Sequence, residues 1–244
     1  MRRGTVIVLR SLAFQLLFYL LTAAMGIAGL PLLLGPWRWS MWYGTHWSAA
    51  TLALLGWSAG LRHEVRGLEN LPRGAVVIAM KHQSAWDTLA APVIFDRPVI
   101  VMKRELGWIP VYGWYVRKAG MVPIDRAAGP AALRGMVAAA REAAAQGRPI
   151  IIFPEGTRRA PGAPPAYQPG VYALYRQLGL PLVPVAVNSG LYWGRRSFVK
   201  RPGRIVVEIL PAIAPGGERR AVMDALEAAI EGASTRLAAL VPCG

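Results

Sequence analysis

His82 and Asp87 stand five positions apart in Lys81-His82-Gln83-Ser84-Ala85-Trp86-Asp87, and an imidazole beside a carboxylate is a natural proton-transfer pair. The histidine can take a proton near neutral pH, and the carboxylate can hold it in the right tautomer. Five residues of regular helix rotate by about 140°, so the two cannot face one site from inside one helix. Upstream, Ala75-Val76-Val77-Ile78-Ala79-Met80 reads as a buried strand, and Ser84 with Asp87 fits the Ser-x-x-acid start of a helix. His82 then lies in a strand-to-helix loop, where a first-turn Asp87 can reach back to it. A helix cap beside a solvated loop histidine accounts for these two residues equally well.

Phe153-Pro154-Glu155-Gly156-Thr157-Arg158 is the second chemically loaded segment. Its glycine lets backbone approach a ligand closely, and its arginine offers a planar fork to a phosphate. The plainer alternative is a tight turn with Glu155 and Arg158 paired on the surface, worth about 0–1 kcal/mol.

The elements that must position these residues are short apolar runs alternating with helix-like segments from about residue 61 onward. Strands are expected at 75–80, 98–102, 121–124, 149–153, 181–187 and 204–210. Helices are expected at 85–94, 108–119, 130–146, 170–178 and 218–240. This alternation predicts an α/β fold with a mixed, largely parallel sheet flanked by helices. His82, Lys103, Asp125-Arg126 and the 154–158 segment each follow a strand, where open α/β sheets bind ligands. The Pro/Gly-rich stretch 160–169 reads as a loop near that edge.

Of the 244 residues, 54% are hydrophobic, and the formal net charge is +15. The apolar excess lies at the N-terminus. Ser11 to Trp37 contains no charged residue, longer than the ~20 helical residues that cross a bilayer. Trp39 to Leu61 is a second uncharged stretch, and Trp37, Trp39, Trp42 and Tyr43 around Arg38 resemble a membrane–water interface. A helical hairpin would place Arg2, Arg3, Arg10, Arg62 and Arg66 on one side, the cytoplasmic side by the positive-inside tendency. Pro31 and the weaker second stretch also permit a shallower, interfacial placement. A cleaved signal peptide is disfavoured, since the run far exceeds the usual ~7–15-residue core. Residues 1–62 are therefore expected to form a membrane-anchoring segment, and 63–244 a catalytic domain facing the cytoplasm at the inner membrane. The lone Cys243 gives no intrachain disulfide and fits a reducing compartment.

The basic balance points to anionic lipid or a phosphorylated substrate; zinc-finger spacing is absent, so nucleic acid is not the expected partner. Gly56-Trp57-Ser58-Ala59-Gly60 matches the G-x-S-x-G nucleophile elbow, but it ends a membrane-type stretch. No histidine follows His82, so the serine, acid, histidine order cannot be completed. No phosphate-binding glycine loop or metal-ligand spacing is present, and neither a metal nor a redox cofactor is expected.

Four blocks, in order, resemble the glycerophospholipid acyltransferases, in particular bacterial 1-acylglycerol-3-phosphate acyltransferases of the PlsC type. Residues 81–87 resemble the (N/K)HQSxxD block, Lys103–Gly113 the K-x-E-L-x-x-I-P-x-x-G segment leading into Ile124-Asp125-Arg126, Phe153–Arg158 the FPEGTR block, and Leu182–Val187 the V-P-V segment. Lys81 departs mildly from the common asparagine. The resemblance covers roughly residues 65–210, and four ordered blocks are more specific than any one. It implies transfer of a fatty acyl group from acyl-CoA or acyl-carrier protein to a lysophospholipid hydroxyl, with lysophosphatidate as acceptor and phosphatidic acid as product. Another lysolipid, such as lyso-ornithine lipid, and a non-catalytic membrane-binding role are the alternatives. The resemblance makes His82 and Asp87 catalytic, and Lys103, Arg126, Glu155, Gly156, Thr157, Arg158 and Pro184 substrate-binding.

Overall fold

The apolar runs in the middle of the chain form strands β2 (Val77–Met80), β5 (Ile150–Ile152) and β6 (Leu182–Val187), each buried along its length. Strands covered on both faces carry unbroken apolar runs instead of alternating ones. Around them lie β1 (Leu61–Arg66), β3 (Val99–Lys103), β4 (Val122–Ile124) and β7 (Gly203–Ile209). The sheet order is β1-β7-β6-β2-β5-β3-β4. Only β6 and β7 run antiparallel; the other neighbours are parallel, as the alternation of runs predicts. The structure is a computed structural model that describes residues 3–125 and 129–240. Arg126 and Cys243 lie outside the described residues.

Seven α-helices accompany the sheet among the described residues: α1 (Arg3–Ala28), α2 (Trp37–Ala59), α3 (Trp86–Ile94), α4 (Tyr112–Lys118), α5 (Gly129–Ala145), α6 (Gly170–Leu178) and α7 (Arg219–Ala239). Successive strand side chains point to opposite faces, so each strand serves two layers. Ile78 and Met80 of β2 join Val183 and Val185 of β6 in a layer with Phe14 of α1, Leu52 and Leu55 of α2, and Trp86 of α3. Val77 and Ala79 point the other way, into a layer with Met136 of α5, Leu174 of α6 and Leu226 of α7.

Three elements differ from expectation. β1 (LRHEVR) carries charges at alternate positions and pairs along its length with β7 at the sheet edge, so it lacks the apolar run that marks a buried strand. Residue 62, the expected end of the anchoring segment, lies within it. The helix expected at 108–119 holds only Tyr112–Lys118, because Pro110 disfavours helical backbone at Ile109 and Arg104–Trp108 forms a separate 3₁₀ turn. The second uncharged stretch is α2, and one side of it is sheet-covering core: Leu52, Leu55 and Ala59 are buried there. α1 and α2 form the expected helical hairpin. Tyr43 donates to the Met25 carbonyl (2.8 Å) and Trp47 to Thr22 Oγ1 (3.1 Å). Gly29 sits at the bend because a Cβ there would collide with the Tyr43 ring.

Candidate active site

After β2, Lys81 keeps one more ladder bond, its N–H donating to the Val185 carbonyl (2.8 Å), and the chain then turns away through His82–Ser84. Ser84 Oγ accepts the Trp86 N–H (3.1 Å), which starts α3 one turn before Asp87 can point back. Asp87 is fully buried, and three donors converge on its Oδ2: His82 Nδ1 at 2.9 Å, and the Gln83 and Ser84 N–H groups at 2.8 Å each. The acidic member of the helix start is therefore also the partner of the histidine. The His82 ring stacks on Phe153 (4.0 Å between centroids, 21°), and its side chain keeps 10% of its surface exposed. With Nδ1 donating to the carboxylate, Nε2 is the nitrogen left to accept a proton from a substrate.

The second loaded segment leaves β5 at Phe153. Gly156 takes φ 65°, and its N–H closes the turn onto the Phe153 carbonyl (2.8 Å). The Arg159 N–H donates to the His82 carbonyl (2.9 Å), pinning this turn to the histidine loop. Glu155 is not the surface partner of Arg158. It is buried, 3.1 Å from Lys81 Nζ, with Arg159 Nε at 3.9 Å. Burial holds its carboxyl above the ordinary carboxylate range, against the pull of Lys81. Arg158 and Thr157 are half-buried, and the Arg158 guanidinium has no hydrogen bond or ion pair among the described residues. A half-buried guanidinium with its donors uncommitted is suited to an anionic ligand.

Lys103 ends β3, exposed on the same carboxyl edge as the ends of β2 and β5, with β5 lying between the two outer strands. Beyond it Arg104 pairs with Asp125 (2.9 Å), and Arg126, also expected at the site, lies outside the described residues. Pro184 stands apart from this cluster, buried within β6 opposite Ala79. Its carbonyl accepts the Leu210 N–H (3.0 Å) just past the end of β7. Ser58 of the G-x-S-x-G match lies inside α2 and donates to the Leu54 carbonyl (2.6 Å), so it forms no nucleophile elbow. Two residues that no motif marks also reach the site: Tyr167, in the 160–169 loop, and Glu231, on α7. Lone polar residues in a loop and on a charged helix carry no spacing signal by which they could have been found.

A buried His–Asp pair at the carboxyl edge of a largely parallel sheet, with an uncommitted arginine in the adjoining turn, is equipped for general-base chemistry on an anionic substrate. Comparison with known proteins gives the family. A family model described as Acyltransferase matches residues 62–188. The 1-acyl-sn-glycerol-3-phosphate acyltransferase of Pseudomonas aeruginosa is 37% identical over 198 residues, 81% of this chain and 77% of that protein. The 1-acyl-sn-glycerol-3-phosphate acyltransferase alpha of Mus musculus is 33% identical over 162 residues, 65% of this chain and 57% of that protein. The crystal structure of the 1-acyl-sn-glycerophosphate (LPA) acyltransferase PlsC from Thermotoga maritima superposes with a TM-score of 0.79 at 19% identity, covering 96% of this chain and 98% of that one. The chain belongs to the acyltransferase family.

Proposed function

We propose that this acyltransferase moves a fatty acyl group from a thioester to the sn-2 hydroxyl of 1-acylglycerol-3-phosphate, giving phosphatidic acid. The observation that carries the reading is the His82–Asp87 bond of 2.9 Å, which leaves Nε2 as the nitrogen turned to substrate, with the uncommitted Arg158 in the turn that the Arg159 N–H pins to the His82 carbonyl. His82 Nε2 takes the hydroxyl proton as the oxygen attacks the thioester carbonyl. Asp87 steadies the imidazolium that forms. The tetrahedral intermediate collapses with loss of the thiolate, which recovers the proton from His82, leaving an ester and a free thiol. Arg158 with Lys103 holds the acceptor phosphate, and Gly156 and Thr157 line the same edge. Acyl-CoA and acyl-carrier protein both meet the chemistry required of the donor. The substrate assignment rests on the activity of the Pseudomonas aeruginosa and Mus musculus relatives together with the cations Lys103 and Arg158 on this edge.

The protein works at a membrane surface in this reading, on the cytoplasmic face of the inner membrane. α1 is apolar over Gly4–Ala28, and only 11% of its most apolar window is buried. Its outward side carries Leu9, Leu12, Leu16 and Leu20, the spacing of one helical face. We take residues 1–60 as the anchoring part and the chain from β1 onward as the catalytic part.

The test offers purified protein an acyl-CoA with lysophosphatidate or lyso-ornithine lipid and follows each product by mass. Phosphatidic acid should dominate. Arg158→Ala should raise the apparent KM for lysophosphatidate by roughly 10–100-fold, the loss of a charge-assisted bond worth about 1.5–3 kcal/mol. An unchanged KM for lysophosphatidate would refute the phosphate clamp.

A further inference from the structure

Glu155 is one end of a chain of polar contacts that runs out to α7. Lys81 Nζ lies 3.1 Å from Glu155 Oε1 and 2.6 Å from Glu231 Oε1. The Tyr167 hydroxyl donates to that same Glu231 oxygen at 2.9 Å. The side chains of Lys81 and Glu155 are 3% and 0% exposed, and that of Glu231 is 27% exposed. With Arg159 at 3.9 Å from Glu155, two cations face two carboxylates, so the charge of the cluster balances. Burial and the neighbouring Glu231 carboxylate push the Tyr167 hydroxyl well above its ordinary range, which keeps it a donor.

Stability does not account for this arrangement, because well-packed apolar side chains usually serve a buried site as well as a buried ion pair does. What the cluster does accomplish is geometric. Lys81 directly precedes His82, and Glu155 lies inside the Phe153–Gly156 turn, directly before Gly156–Arg158. The Lys81–Glu155 bond therefore ties the two loaded loops together below the Arg159-to-His82 backbone bond. Glu231 and Tyr167 hold Lys81 from the far side, and the adjoining loop is fastened again where the Gln168 N–H meets the Pro154 carbonyl (2.8 Å). Glu231 lies beyond residue 188, where the family model ends.

We propose that Lys81, Tyr167 and Glu231 are positioning residues for acyl transfer, through which the C-terminal helix α7 sets the acceptor-binding turn in register with His82. The inference rests on the acceptor role proposed for that turn. None of the three touches the reacting atoms; each acts through Glu155.

Glu231→Gln and Tyr167→Phe test it at partly exposed sites that tolerate substitution, with KM for lysophosphatidate, KM for acyl-CoA, kcat and Tm measured for each. Both variants should keep Tm within a few degrees and the KM for acyl-CoA unchanged. The KM for lysophosphatidate should rise about tenfold, as for one weakened charge-assisted contact. Lys81→Arg, which keeps the charge, should retain more acceptor affinity than Lys81→Met. A fall in Tm with no selective change in acceptor KM would mean a merely structural cluster and overturn the inference. So would unchanged kinetics in both Glu231→Gln and Tyr167→Phe while Arg158→Ala raises the acceptor KM. If Arg158→Ala alone is silent, the phosphate clamp fails, and a selective rise in Glu231→Gln still upholds the positioning role of α7.

Discussion

Asp87 does two jobs with one oxygen, and substitutions separate them. Oδ2 accepts from His82 Nδ1 and also from the N–H groups of Gln83 and Ser84 in the loop that leads into α3. Asp87→Asn keeps an acceptor for the backbone but lacks the charge that steadies an imidazolium. It should slow turnover by roughly the 10²–10⁴-fold of general-base loss, with little change in Tm, as should His82→Ala. Asp87→Ala strips partners from two buried N–H groups, each costing about 1–3 kcal/mol, so it should lower Tm as well. Steady-state rates beside thermal melts distinguish the three; a His82→Ala enzyme with near-normal turnover would sink the mechanism. The sequence offered this pair as one of two readings, since a strand, a Ser-x-x-acid start and the spacing let Asp87 reach back to His82. The three further blocks of the family resemblance favoured it over a cap beside a solvated histidine. Lys81, Tyr167 and Glu231 were not legible there, since they meet only after α7 has packed against the sheet, and no local rule brings residue 81 to residue 231.

At the scale of elements, the sheet could be read because its central strands are short apolar runs with breaks of fixed kind between them. β1 escaped because an edge strand half open to solvent spells LRHEVR, with no apolar run. α2 is more instructive. A stretch without charges satisfies lipid and a protein core equally well, and composition cannot say which face meets which solvent. Its packing does: Leu55 is fully buried against the sheet, whereas Trp57 two positions on is 77% exposed. Leu55→Ala should therefore behave as a core truncation, costing about 2–5 kcal/mol in denaturant melts. Leu16→Ala, on the 60% exposed side of α1, should leave the melt nearly unchanged and weaken vesicle binding instead. Equal effects of the two on stability would put both helices in one environment, against this assignment.

For the whole molecule, the question is how the apolar hairpin is joined to the rest of the chain. α1 is fastened to the domain at two points. Ser11 Oγ, a third of the way along the helix, accepts the Lys200 N–H (2.9 Å), and the Gly26 carbonyl near its C-terminal end accepts the Tyr115 hydroxyl (3.1 Å). Those points are separated by about 22 Å of helix, most of the ~30 Å hydrocarbon thickness. Under the anchoring proposed above, a domain lying alongside that much of the helix fits an anchor embedded from one side better than one that crosses. Lys200 is the bolt at the first point. It is 1% exposed, bonded to Gln15 Oε1 (2.8 Å) and the Phe198 carbonyl (2.9 Å), and lies 4.9–5.2 Å from the rings of Phe14, Trp193 and Phe198. The rings return part of the cost of burying an ammonium. Burial still lowers its pKa to about 8, against about 10.4 when unfolded. Between those values the unfolded chain binds more protons than the folded one, so this residue's contribution to stability rises with pH across the window. Below about 8 the ammonium is charged in both states, and the full burial cost, of order 3 kcal/mol, is present. The Tm of the protein minus that of Lys200→Met should therefore grow from pH 7.5 to 10 in melts at fixed ionic strength; a flat difference would show that the buried ammonium carries no such cost.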